Sequence, residues 1–177
     1  MRSTTWLALG MMLIGAVPFR AAAQQDGHSR ESQGQMLAYQ RKLLLAMVDS
    51  MPERLYRDKA TPEQRDFAEQ VHHATSVAGY IVGAVLKGPK GPAADTAKVL
   101  NSRAALRGYV STTFDAAAAH LKAQSSAARL ETIDLFGQKM PGWQVWDEIY
   151  THSVWTAGSI VANFRKHGMA PPAFTFF

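Results

Sequence analysis

Apolar residues recur at helical spacing in four segments of this chain. In the first segment, from Ser32 to Tyr56, five apolar residues follow one another at intervals of seven, four, three and four positions: Leu37, Leu44, Val48, Met51 and Leu55. These intervals place them on one face of a helix. Because Pro52 lies inside the pattern, we expect the helix to end or kink near Met51.

The second segment opens with a helix start signal. Thr61 is a good N-cap, Pro62 suits the first helical position, and Gln64 completes a capping box. An apolar stripe then runs from Phe67 to Val85. The helix is predicted to end before Gly88, where glycines and prolines alternate in a loop composition.

The third segment is predicted to begin at a cap on Asp95 or Thr96 and to continue to about Lys122. Residues 130–140 show no helical period. We interpret them as an extended connection to the last helix.

The fourth helix is predicted from about Pro141 to His167, and Gly168 is well placed to terminate it. Four long amphipathic helices without a convincing strand pair predict an all-α protein, a four-helix bundle spanning residues 32–177.

The N-terminus has the pattern of a secretory signal peptide over residues 1–23. Arg2 supplies the positive charge, an apolar run of twelve residues follows from Trp6 to Val17, and Ala21 to Ala23 give small residues before the cut. Residues 24–31 are predicted to be a flexible leader. An uncleaved membrane anchor is the alternative, although the run is shorter than the roughly 20 residues of a spanning helix.

The amino-acid composition excludes several kinds of functional site. The 177 residues are 47% hydrophobic and include no cysteine, which excludes disulfides, thiolate metal sites and a cysteine nucleophile. Without Arg2 and Arg20 the mature chain keeps 17 basic and 14 acidic residues, a net charge of +3. That charge is too small to indicate nucleic-acid binding. An exported, cysteine-free domain fits the bacterial periplasm best.

Histidines carry the candidate chemistry. His152 and Thr156 fall in the apolar stripe of the fourth helix, between Ile149 and Ile160. Polar groups there need partners, so His152 is either a ligand or acid/base group, or a core histidine hydrogen-bonded to a neighbour. On the second helix, periodicity does not decide which of His72 and His73 faces inward.

Known metal motifs are incomplete in this chain. Glu69 precedes His72 at the spacing of a ferritin-like di-iron motif, but the fourth helix has Glu148 four residues before His152 rather than three. The motif HExxH and the glycine-rich nucleotide loops are absent. A di-iron site is therefore not predicted.

The C-terminal segment resembles the last helix of the DinB-like family. It reads His152-Ser-Val-Trp-Thr156-Ala-Gly158-Ser-Ile-Val and continues to Arg165, Gly168 and Pro171-Pro172. The family typically has His-x-x-x-His-x-Gly-Gln-Leu/Ile-Val, then Arg, Gly and Pro-Pro. Two further stretches are also similar to the family: Phe67 to Tyr80, where a histidine follows the phenylalanine by six positions, and Leu135-Phe136-Gly137.

This resemblance implies an up-down-down-up bundle with a metal site made by three histidines. It selects His73 on the second helix and His152 on the fourth, and it implies a divalent ion such as Zn²⁺ or Ni²⁺. Thr156 stands where the family has its third histidine, and a neutral hydroxyl is a poor ligand for these ions. Glu148 or Glu69 could compensate, or the site could hold no metal at all.

Two functions follow from these observations. The first is a metal-dependent enzyme, a hydrolase or transferase acting on a small molecule, with hydrolysis favoured because low-molecular-weight thiols are mainly cytosolic. The second is a non-catalytic protein that has lost the metal and binds a small ligand or a partner, with a pocket near Tyr80, Ile149 and Trp155. Homodimerisation through helix faces suits either function.

Overall fold

The computed structural model describes residues 29–173 and residue 175. The predicted signal peptide and most of the predicted leader lie outside these residues. The elements, in chain order, are α1 (Arg30–Ser50), a 3₁₀ turn (Glu53–Leu55), α2 (Phe67–Tyr80) with a π-helical continuation (Ile81–Val85), α3 (Thr96–Asn101), α4 (Arg103–Ala123), α5 (Ser126–Leu130), β1 (Thr132–Leu135), β2 (Gln138–Pro141) and α6 (Gly142–Lys166).

Local signals fix the ends of α1 and α6 close to where the sequence predicts them. α1 ends at Ser50 with Met51 as its C-cap, directly before Pro52, so the predicted break is confirmed. α6 occupies Gly142–Lys166 between Pro141 and His167. Gly168 follows with a φ of 65°, a conformation that glycine adopts without steric cost.

The predicted start of α2 at Thr61 is wrong. The helix begins at Phe67, with Asp66 as N-cap: the Asp66 carboxylate accepts from the Glu69 amide at 2.8 Å, and the Glu69 carboxylate accepts from the Asp66 amide at 3.0 Å. Arg57 also donates to Asp66 at 2.7 Å. Charged acceptors make stronger caps than a hydroxyl, and these tertiary contacts favour the later start.

The predicted third helix is divided in two. α3 begins after Asp95, whose carboxylate accepts from the Lys98 amide at 3.2 Å. The chain then leaves helical geometry at Ser102, with φ −137° and ψ 123°, and the Ser102 hydroxyl caps α4. Serine favours such a cap because its side chain competes for backbone hydrogen bonds.

The absence of a strand pair is a second wrong prediction. β1 and β2 form an antiparallel hairpin in which Ile133 pairs with Met140. Phe136 and Gly137 make its turn with φ values of 53° and 86°, the signs that a two-residue I′ turn requires. Phe-Gly lacks the usual Asn-Gly or Asp-Gly signal, so the hairpin is hidden in the sequence.

The structure is therefore mostly helical, with one small sheet. α1 packs against α4 and α6, and α2 packs against the same two helices. The four long helices surround one core, in which Phe67 meets Phe164 edge to face with ring centroids 5.9 Å apart. No helix in the described part of the chain is long and apolar enough to cross a membrane.

Candidate functional site

His73 on α2 and His152 on α6 face each other across the contact between these helices. Their Nε2 atoms are 3.3 Å apart and their rings stand at 72° to each other. Both side chains are half-buried. At this separation one imidazole can donate its Nε2 proton to the other, provided that the accepting ring is neutral.

Burial and a neighbouring cation keep both rings neutral. Burial lowers the pKa of His152, and the positive charge of Arg65 lowers it further. The pKa of His73 is lowered by burial first and then by Arg65, His152 and His72. Because an unperturbed histidine has a pKa of about 6.5, the pair is uncharged at neutral pH and suited to hydrogen bonding.

Thr156 lies one turn after His152 on α6 and is 4% exposed. Its hydroxyl donates to the His152 carbonyl at 2.9 Å. The hydroxyl proton is thus hydrogen-bonded to the backbone of its own helix, a common arrangement for threonine within a helix. It adds no imidazole or carboxylate to the histidine pair.

The two acidic residues that could compensate do not complete a metal site. Glu69 is held by the capping box of α2 and by Arg57, whose Nη2 is 3.2 Å from its carboxylate. Glu148 is half-buried one turn before His152. Among the described residues no three histidine, cysteine, aspartate or glutamate side chains are grouped so that they could hold a metal ion. The residues present do not fit the three-ligand site that the resemblance implies.

His72 has a different environment from its neighbour. Its ring stacks on Tyr109 of α4, with centroids 5.1 Å apart and an interplanar angle of 13°. Burial lowers its pKa. Periodicity left the choice between His72 and His73 open, and the structure brings His73, not His72, to His152.

A cavity of about 380 Å³ opens beside His73. One wall is formed by α2 and the segment before it, and the other by α3. The lining residues are Arg65, Glu69, His72, His73, Ser76, Thr96 and Leu100. Arg65 was missed in the sequence because it lies in a stretch predicted as ordinary helix. No sequence pattern places its charge near both histidines.

The three residues of the predicted ligand pocket are dispersed. Ile149 is 1% exposed in the core, and Trp155 is 79% exposed on α6. Tyr80 instead lines a cavity of about 310 Å³ with Tyr109 and the loop after α2. None of the cavities described here joins the three side chains.

Comparison with solved structures reveals a likeness in fold. Neither a family model nor a curated protein sequence matches the chain. Among solved structures, a DinB-like protein from Bacillus cereus ATCC 10987 superposes with a TM-score of 0.71, covering 82% of this chain and 97% of that one. This chain has a DinB-like fold. Because the two sequences are only 15% identical, this similarity concerns the fold and gives no activity for this chain.

Proposed function

We propose that this chain is an exported DinB-like protein that binds a small molecule at His73 and His152 without a resident metal ion. The observation that carries the proposal is Thr156. Its hydroxyl is bonded to the backbone at 2.9 Å, and it stands where a third imidazole would be needed. The neutral histidine pair then serves as a hydrogen-bonding site at the edge of a cavity. Export rests on the N-terminal pattern, with the periplasm as the proposed location.

The proposal includes the up-down-down-up arrangement of the four long helices. The ion pairs Arg41–Asp115 and Arg107–Asp49 indicate that α1 and α4 run in opposite directions. The contacts Phe67–Phe164 and His73–His152 indicate the same for α2 and α6. α1 and α6 run in the same direction, because Gln33 bonds to Trp143 near their starts and Met47 and Val161 share a cavity further along both helices. This order puts His73 and His152 on adjacent antiparallel helices.

A metal-dependent hydrolase is the second candidate, and one distance favours it. Two nitrogens that bind one zinc ion at about 2.0–2.1 Å in tetrahedral geometry lie about 3.4 Å apart. The observed separation of 3.3 Å between the Nε2 atoms is close to this value. A neutral hydrogen bond between the two rings accounts for the same distance, and it requires no third ligand.

Metal content separates the two candidates. The mature protein from Gln24, purified without a histidine tag, is incubated with Zn²⁺ or Ni²⁺, desalted and analysed for metal. We expect far less than one ion per chain and a melting temperature that chelator does not change. About one ion per chain, lost in His73→Ala, would instead contradict the metal-free proposal and favour the metal-dependent candidate.

Ligand binding is tested on the metal-free protein. A small-molecule library is screened by thermal shift in the presence of chelator, because a ligand that binds only the folded state raises the melting temperature. We expect hits whose shift disappears in His152→Gln. Trp155→Ala, which removes an exposed side chain elsewhere on α6, is the matched control and should keep the shift.

A further inference from the structure

Two cavities along α2 adjoin each other at Ser76. One, of about 380 Å³, contains Arg65 and His73; the other, of about 310 Å³, contains Tyr80 and Tyr109. We call this combined depression the α2 groove. His73 and Tyr80 are seven residues apart, or about 10 Å of helix axis. The groove is therefore long enough for a molecule larger than a single small ion.

The His73 end of the groove contains an arginine, Arg65, whose guanidinium is not engaged by a carboxylate of the described part of the chain. Arg65 is exposed and has no hydrogen-bond or ion-pair partner among the described residues. Glu69, the carboxylate of this groove, is already paired with Arg57 at 3.2 Å. Arg65 and the neutral histidine thus offer donors to an anionic group, and guanidinium binds carboxylates in a planar, bidentate manner.

The other end of the groove is flat and aromatic. Tyr80 stacks on Phe136 of the hairpin turn, with rings 6.1 Å apart and at 10°, which holds an exposed ring in place. Tyr109 is oriented by its stack on His72. Gly79 and Gly91 also line this end of the groove, and neither adds a side chain to the wall.

We propose that the α2 groove binds a planar aromatic carboxylic acid, with its carboxylate at Arg65 and His73 and its ring system between Tyr109 and Tyr80. This assignment rests on the proposed small-molecule function and names its ligand class. Aromatic rings supply stacking area for a flat body, and the arginine favours the charged form over a neutral analogue of the same shape. Lys90, exposed beside Tyr80, gives the far end the same sign of charge.

The test compares 2-naphthoate with 2-naphthamide, two planar probes of nearly equal shape that differ in charge. Each is titrated calorimetrically into the mature protein in chelator-containing buffer. We expect naphthoate to bind at least ten-fold more tightly than naphthamide. Arg65→Gln should strongly reduce that preference, whereas Arg54→Gln, which neutralises an exposed arginine outside the groove, should preserve it. Equal affinity for both probes, or equal behaviour of the two arginine variants, would overturn the assignment.

Variants of the aromatic end and of the histidine pair complete the test. Tyr80→Ala should weaken both probes about ten-fold, and Trp155→Ala, which removes an exposed aromatic ring of α6, should weaken neither; equal effects would contradict the groove. Both tyrosine and tryptophan are exposed, at 56% and 79%, so the variants should fold. Naphthoate binding that is lost in Arg65→Gln but unchanged in His152→Gln supports the groove and contradicts the proposed role of the histidine pair. Stoichiometric metal with the naphthoate preference intact contradicts only the metal-free function.

Discussion

Replacing Thr156 by histidine tests whether the histidine pair is two-thirds of a metal site. The new imidazole would start one helical turn after His152, on the same face of α6. His73 would approach from α2, where its Nε2 is 3.3 Å from that of His152. We expect Thr156→His to bind zinc more tightly than the wild-type protein does.

The size of the gain can be worked out from ligand number. Four-ligand zinc peptides bind with about 10–16 kcal/mol, or about 2.5–4 kcal/mol per ligand, so a third imidazole should tighten zinc binding by about 60- to 700-fold. Thr156 is 4% exposed, and the larger side chain should cost about 1–3 kcal/mol of folding free energy through overpacking. Zinc at 100 times its Kd would return about 2.7 kcal/mol, which raises the Tm by about 5–10 °C.

The assay measures Tm and metal content with and without zinc for the wild type, Thr156→His and Thr156→Ala. The alanine variant removes the hydroxyl without adding a ligand and should not respond to zinc. The double variant His73→Gln with Thr156→His should lose the response again. If Thr156→His folds yet binds no more zinc than Thr156→Ala, the three positions do not converge on one point and the reasoning is refuted.

Three other predictions concern stability and are measured by urea unfolding. Arg129 is 1% exposed and donates a hydrogen bond to Gln33 at 2.8 Å. Arg129→Met should lower the free energy of unfolding by about 2–4 kcal/mol, because a buried charged hydrogen bond is lost. Arg54→Met, at an exposed arginine, should change it by no more than about 0.5 kcal/mol. Because the pKa values of His73 and His152 are lowered in the folded protein, the unfolded chain takes up protons at a higher pH than the folded protein does. The free energy of unfolding should therefore be greatest above about pH 6.5 and should decrease as the pH falls below it. This decrease should be smaller in His73→Gln. Lys87 has a φ of 57°, so Lys87→Gly should stabilise the fold by about 0.5–1 kcal/mol. A loss of stability would contradict this prediction and would show that the exposed ion pair of Lys87 with Glu131, at 3.6 Å, outweighs the backbone strain.

The ends of two helices were predictable from single residues whose backbone geometry is distinctive. Pro52 ends α1 because proline cannot occupy a helix interior, and Gly168 ends α6 because it accepts a positive φ. The start of α2 was not predictable in this way. Thr61 and Asp66 are both good caps, and the choice of Asp66 depends on its 2.7 Å contact with Arg57.

The hairpin shows the same limit for strands. Residues 132–141 have neither a typical turn sequence nor the length of an independent sheet, since an isolated two-stranded hairpin is at best marginally stable in water. It packs against α6 and the π-helical end of α2. Phe136 accepts a φ of 53° while its ring lies on Tyr80, a contact between segments distant in the chain.

The sequence by itself determined which faces of the helices are apolar, where two of them end, and that His152 and Thr156 share a face of the last helix. These properties follow from residue type and from a repeat of 3.6 residues, which refer to one helix axis at a time. The resemblance of two segments to the DinB-like family also singled out His73 and His152, and the structure brings them together across 79 residues of chain. Only the tertiary structure decided that His72 stacks on Tyr109 and that Arg65 adds its charge to the pair. Such contacts depend on how the helices pack together, and packing is set by all apolar faces at once rather than by any single segment.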